Sequence, residues 1–170
     1  MKKSLFLILI PLLSLSSLSC AGKKENAAAG SPGKLTQAVF ATSLRKAGQE
    51  KKFVIIDFYT DWCKWCKVLE EKTYPAPTVK QVMDRSFILE KYNPEKATPV
   101  NFNGRKYTGS DVAQAFGVQG YPTIMFLDSE GEVIGSIPGF VPPEIFVKIL
   151  AFVESGGYKS QRFDEFLNTL

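Results

Sequence analysis

The sequence contains no histidine. Its absence rules out Ser-His-Asp and Cys-His nucleophilic catalysis and any zinc site built on imidazole. Haem attachment through Cys-x-x-Cys-His is excluded as well, because Lys67 follows Cys66. Cysteine is scarce: Cys20, Cys63 and Cys66 are the three in a chain of 170 residues, so the core must form without multiple disulfide staples. A strong charge of one sign is lacking too. Lys and Arg number 21 against 17 Asp and Glu, and Lys2 and Lys3 sit in an N-terminal leader. The remaining imbalance is too small to draw the chain to nucleic acid. What is left is ordinary globular material, 45% hydrophobic and 22% charged, neither disordered nor collagen-like.

Residues 1–19 read as an export leader. Met1-Lys2-Lys3 is a positive start, Leu5 to Leu13 is apolar apart from Pro11, and Ser14 to Ser19 dilutes the run. The apolar stretch falls short of the roughly 20 residues that span a bilayer, so it reads as a secretory signal. Ser17-Leu18-Ser19-Cys20 resembles a lipobox, with Leu18 two residues before the cysteine where the usual pattern has it three before. On that reading Cys20 carries diacylglyceride and anchors the protein to a membrane, each buried methylene contributing about 0.8 kcal/mol. Ala21 after Cys20 is similar to outer-membrane lipoproteins. The alternative is an ordinary signal peptide with Cys20 removed or left as a free thiol. Residues 20–33, rich in Ala, Gly and Lys, then read as a flexible tether of roughly 20 Å.

Strands alternate with helices over residues 34–157. Leu35 to Gly48 carries weak helical periodicity with Gly48 as a stop, and Phe53 to Tyr59 is a nearly continuous apolar run suited to a central strand. A helix is expected from Cys63 to about Thr73, a second from Thr78 to Asp84, and a strand over Phe87 to Tyr92. Asn93 to Gly109 reads as a loop or small hairpin, and Ser110 as the cap of a helix ending at Gly117. Thr123 to Leu127 and Glu132 to Ile137 form a hairpin, and Pro142-Pro143 opens a helix stopped by Gly156-Gly157. Residues 158–170 hold one more amphipathic helix, with Phe163, Phe166, Leu167 and Leu170 on one face. The order implies an α/β fold with a mixed central sheet flanked by helices and an extra C-terminal helix.

Trp62-Cys63-Lys64-Trp65-Cys66 falls where the buried strand gives way to a helix. Two residues between cysteines in a first helical turn bring the sulfurs within bonding reach. Cys63, at the helix N-terminus, gains from unpaired amides and the helix dipole, which favour a thiolate, and Lys64 adds charge of the helpful sign. Cys66, a turn further in, is expected to be more buried and to resolve the mixed disulfide that Cys63 makes. Structural zinc needs four ligands and finds two here. Cu(I) can manage with two thiolates and remains an alternative. A merely structural disulfide closing so short a loop would constrain the unfolded chain little.

The run Val54-Ile55-Ile56-Asp57-Phe58-Tyr59-Thr60-Asp61-Trp62-Cys63-Lys64-Trp65-Cys66-Lys67 resembles the active-site segment of the thioredoxin superfamily. With Glu70-Glu71-Lys72-Thr73-Tyr74 it is similar, more narrowly, to the C-terminal thioredoxin-like domain of membrane thiol:disulfide interchange proteins. The likeness spans about Lys34 to Glu154, and departs in the Lys64-Trp65 pair and the longer Asn93 to Gly109 segment. It implies a thioredoxin fold. It also implies that Asp57 is a buried acid exchanging a proton with Cys66, a carboxyl whose burial should raise its pKa. Lys91 either pairs with Asp57 or extends to solvent. Gly120-Tyr121-Pro122-Thr123 resembles the family's cis-proline loop, so Pro122 would face the disulfide and the Tyr121 backbone would pair with an extended substrate. Gly139 would let a partner approach. Trp65 is expected to be exposed for docking and Trp62 to be partly core.

The resulting expectation is an exported, membrane-tethered, monomeric thiol:disulfide oxidoreductase on the periplasmic side. It would act through Cys63 and Cys66 with no dissociable cofactor and no metal. Its partners would be exported proteins with cysteines or disulfides and a membrane thiol electron donor. A reductase is favoured over an oxidase or isomerase. The other class is a non-catalytic Cu(I)- or partner-binding module.

Overall fold

The structure is a computed structural model that describes residues 32–170. The leader, Cys20 and most of the expected tether lie outside the described residues. Four strands form the main sheet in the order β2-β1-β5-β6. Strand β1 (Phe53–Phe58) runs parallel to β2 (Phe87–Tyr92) and antiparallel to β5 (Thr123–Leu127), and β5 pairs antiparallel with β6 (Val133–Pro138). β1 and β5 are the two inner strands and bury almost every side chain. That is why Phe53 to Phe58 shows no alternation: both faces of a central strand meet apolar layers.

The two faces hold separate cores. Val54, Ile56 and Phe58 point to one side, where they meet Phe40 and Leu44 from the N-terminal helices and Val112 from α5 (Gly109–Ala115). Ile55, Ile124 and Phe126 point to the other, against α4 (Pro77–Ser86), α6 (Pro143–Glu154) and α7 (Phe163–Leu167). Asp57 has the parity of Ile55, so the strand's period of two sends it to this second face. Its register neighbours are Lys91 on β2 and Ile124 on β5.

Several expected boundaries are corrected. The first helical stretch is two helices, α1 (Pro32–Val39) and α2 (Ala41–Glu50), broken at Phe40. Phe40 leaves helical geometry where its buried ring sits among Phe58, Tyr92 and Phe116. Helix α1 begins at Pro32, inside the expected tether. Gly48 does not stop α2. Lys51 does, taking the left-handed conformation with its φ of 53°. Helix α5 is capped by Thr108 rather than Ser110, in a reciprocal capping box with Asp111. The 93–109 segment contains a small hairpin, β3 (Val100–Phe102) and β4 (Arg105–Tyr107), turning on Asn103-Gly104 with φ of 50° and 74°.

The C-terminal helix packs on the domain. Phe163 is buried against Phe126 and Phe152, over Gly135 of β6. A Cβ at Gly135 would lie 2.5 Å from the Phe163 ring, so this close approach needs glycine.

Candidate active site

Strand β1 ends at Phe58, and Tyr59 to Trp62 carry the chain into the cysteines. Cys63 is the N-cap of α3 (Lys64–Val68), and its sulfur accepts the Cys66 backbone N–H at 3.1 Å. A sulfur that receives an amide hydrogen at a helix start is one whose negative charge would be stabilised there. Cys63 and Cys66 are joined as a disulfide with Cα atoms 5.3 Å apart. Both are buried, at 5% and 4% exposure, so Cys66 is scarcely the deeper of the two in this oxidised form. Lys64 is exposed beside them.

Helix α3 passes directly into a π-helical turn, Leu69–Thr73, in which the Tyr74 N–H reaches the Leu69 carbonyl. Such a turn inserts an extra residue into a helix and re-aims the side chains beyond it. Here Thr73 is fixed by its hydroxyl donating to the Val141 carbonyl at 2.7 Å, and Glu70 and Tyr74 flank Asp57. Asp57 is 1% exposed and its Oδ1 has no hydrogen-bond partner. Burial pushes its pKa up to about 6. Lys91 and the Tyr74 hydroxyl pull it back, and Glu70 pushes it further up. Tyr74 lies close enough to raise its own pKa through the Asp57 charge, after burial as the main cause, yet its hydroxyl makes no well-formed hydrogen bond.

Lys91 does not ion-pair with Asp57. Its ammonium sits 2.7 Å from Glu70 Oε2 and over the Tyr59 ring at 4.5 Å, about a third exposed. It reaches the rim, as a flexible stem with a hydrated head tends to do. Its charge still acts on Asp57 from the adjacent strand.

The Tyr121–Pro122 bond is cis and heads β5, so the expected loop geometry is present. The Pro122 carbonyl is occupied by the Gly139 N–H at 2.7 Å, and Thr123 donates its hydroxyl to the Gly120 carbonyl. The Tyr121 backbone makes no backbone hydrogen bond among the described residues. Gly139 has a φ of 85° with open space where a side chain would project, so this corner of the groove stays clear. Trp62 is no part of the core. It is 68% exposed, donates its indole N–H to Glu95 at 2.9 Å, and meets Tyr121 edge-on. Trp65, 55% exposed, leans on Phe140 with ring centroids 5.4 Å apart. Asp61 is held below the usual carboxylate range by its contacts with Lys96 and Asn93.

Glu70, Tyr74 and Glu95 have no role on sequence grounds alone. A signal exists for the first two: Cys63, Cys66 and Glu70 fall at i, i+3 and i+7, one helix face, with Tyr74 four residues on. Nothing comparable announces Glu95, which arrives from a loop.

A cysteine pair opening a helix after the first strand, with a cis-proline heading an antiparallel neighbour of that strand, defines a thioredoxin fold. The chain belongs to the thioredoxin-like domain family, whose model matches residues 40–154. Among curated proteins it is 34% identical over 99 residues to the thiol:disulfide interchange protein DsbD of Cronobacter sakazakii. That match takes in 56% of this chain and 15% of the relative, so this chain corresponds to a small part of that protein. Among solved structures it superimposes on a thioredoxin-fold protein from Helicobacter pylori with a TM-score of 0.61 and 19% identity, covering 79% of this chain and 90% of that one. The reduced C-terminal domain of Neisseria meningitidis DsbD gives a TM-score of 0.51 at 25% identity, covering 68% and 94% respectively. Among the described residues no helix is long and apolar enough to cross a membrane.

Proposed function

We propose that this protein is a thiol:disulfide oxidoreductase that reduces disulfides in exported proteins. The observation that carries the reading is the Cys63–Cys66 pair, whose first sulfur caps a helix and accepts its amide, at the end of a strand bearing a buried carboxyl. The likeness to a protein named for thiol:disulfide interchange supports it.

In the reduced form the Cys63 thiolate attacks one sulfur of a substrate disulfide and expels the other as a thiolate. The Cys66 thiol then gives its proton to the Asp57 carboxylate, and its sulfur attacks Cys63 Sγ. A bond forms between Cys63 and Cys66 while the Cys63–substrate bond breaks. Two electrons have passed to the substrate, whose second sulfur leaves as a thiolate and takes a proton from solvent. A dithiol donor on the membrane restores the pair by the same exchange in reverse. The substrate segment lies along the cis-Pro122 loop, paired to the Tyr121 backbone and passing the open space at Gly139. Trp62 and Trp65 flank the disulfide as docking surfaces. The protein acts as a monomer, exported through residues 1–19 and held to a membrane by lipid on Cys20, with residues 21–31 as the tether.

The test is insulin disulfide reduction with dithiothreitol by the leaderless protein. The wild type should accelerate it and Cys63→Ser should not, while Cys66→Ser should accumulate mixed disulfide. Equal inactivity of wild type and Cys63→Ser would sink the enzyme reading. Direction is settled by the redox potential in glutathione buffers, followed through Trp62 and Trp65 fluorescence: a value nearer the roughly −270 mV of thioredoxin than the roughly −120 mV of strong oxidants is expected.

A further inference from the structure

A tyrosine hydroxyl is an odd group to bury where a phenylalanine would pack as well. The Tyr74 ring is fixed against Phe146 with centroids 5.8 Å apart, and it has apolar neighbours in the core of that face. Its hydroxyl nevertheless has no hydrogen-bond partner, and neither does Oδ1 of the adjoining Asp57. An unpaired donor beside an unpaired acceptor, both withdrawn from water, is a costly arrangement unless the two engage when the carboxyl is ionised. The other side of Tyr74 lines an open cleft of about 370 Å³, with Glu70, Lys80, Met83 and Asp84 among its walls. Asp57 itself does not line that cleft. Tyr74 therefore borders both the surroundings of the buried carboxyl and the open cleft.

We propose that Tyr74 is a positioning residue for resolution of the mixed disulfide, its hydroxyl donating to the Asp57 carboxylate and so setting the pH at which that carboxylate accepts the Cys66 proton. The proposal rests on the redox reading above. No atom changes hands at Tyr74: the phenol keeps its proton, and the proton transferred runs from Cys66 to Asp57. The remaining groups around Asp57 are accounted for. Lys91 comes from β2 with its ammonium on Glu70, Glu70 comes from the π turn, and the β5 neighbour Ile124 is apolar. Lys91 and Tyr74 favour the ionised form, whereas burial and Glu70 oppose it. Lys91 acts from the rim through space, while the Tyr74 hydroxyl, withdrawn from water and without another partner, is the group placed to donate to the carboxyl.

Tyr74→Phe removes one oxygen and keeps the ring on Phe146. Two readouts test the proposal. The Asp57 carboxyl, titrated by 13C NMR in the oxidised protein, should show its midpoint raised by about half a pH unit or more, since a lost donor favours the neutral acid. The pH midpoint of mixed-disulfide resolution should move the same way, and only while Asp57 is present, so Tyr74→Phe added to Asp57→Asn should change the profile no further. An unmoved carboxyl titration in the folded variant would overturn the proposal, as would an equal kinetic shift in the Asp57→Asn background. A wild type that exchanges no disulfide would instead remove the resolving role and the redox reading together. The carboxyl titration, which needs no turnover, would then still report whether Tyr74 governs Asp57.

Discussion

The two ends of β1 are built to opposite rules. At the N-terminal end Phe53 lies against Phe87 and Tyr158, and Lys52 both donates to the Asp84 carbonyl and pairs with Glu50. Nearby, Glu154 takes two hydrogen bonds from Arg85 and a third from Ser86. Polar groups there are matched. At the C-terminal end the reverse holds. The buried side-chain polar atoms found without a partner among the described residues are Asp57 Oδ1, Thr60 Oγ1 and Tyr74 Oη, all in the segments around the cysteines. Unpaired buried polar groups of this kind are costly, and exceptions of this sort gather where chemistry is done. One end secures the fold, and the other keeps groups ready to change partners.

Substitutions can break that division, and the largest effect belongs to the securing end. Phe163→Ala empties a buried ring site over Gly135 and frees α7 from Phe126 and Phe152. A loss of about 3–4 kcal/mol in unfolding free energy is expected from urea denaturation. The folded fraction should still exchange disulfides at the wild-type rate. A variant that stays folded but loses exchange would show that the two ends are coupled.

Asp57→Asn should act in the opposite sense. Burial raises the carboxyl's pKa in the folded state to about 6 against a reference of 3.8. Between those values the folded state binds more protons than the unfolded one, so stability falls as pH rises through the window and is level above it. Two units of displacement correspond to roughly 3 kcal/mol, an upper bound on what asparagine recovers at neutral pH, since its amide inherits the unpaired position. Denaturation measured at several pH values should show the slope in the wild type and a flat line in Asp57→Asn. Parallel curves would mean that the carboxyl is not strained.

The fold is legible in the sequence because its signals are local. β2 and β5 have the boundaries expected of them, Phe87–Tyr92 and Thr123–Leu127, and Asn103-Gly104 turns the hairpin that its dipeptide implies. Sequence and structure part where tertiary packing overrides local preference. Phe40 breaks a helix because its ring has a core to fill, and the next helix runs through Gly48 because the left-handed turn that ends it falls at Lys51. At the site, the cysteines, Asp57 and Pro122 can be read from spacing and resemblance. The Lys91–Glu70 pair cannot. It depends on a parallel register that sets Lys91 opposite Asp57 and on a π turn that aims Glu70 at the rim. No short window of sequence contains both. The 68% exposure of Trp62 escapes a sequence reading for a related reason, because its partners Glu95 and Tyr121 come from two distant loops.

The exchanging end also carries residues that should matter little to stability, and Trp65 gives the smallest effect expected. It is more than half exposed and rests on Phe140, itself only partly buried. An exposed side chain of this kind usually changes unfolding free energy by no more than about 0.5 kcal/mol when truncated. An aromatic placed beside a reactive disulfide offers instead a rigid apolar surface to whatever presents its sulfur there. Trp65→Ala should therefore leave the denaturation curve in place and leave exchange with a small disulfide such as oxidised glutathione close to wild type. Exchange with a protein disulfide should slow, because only a macromolecular partner reaches across to the Trp65–Phe140 pair. If both substrates slow equally, Trp65 shapes the sulfur chemistry rather than docking. A large loss of stability would place it with the securing residues, against its exposure.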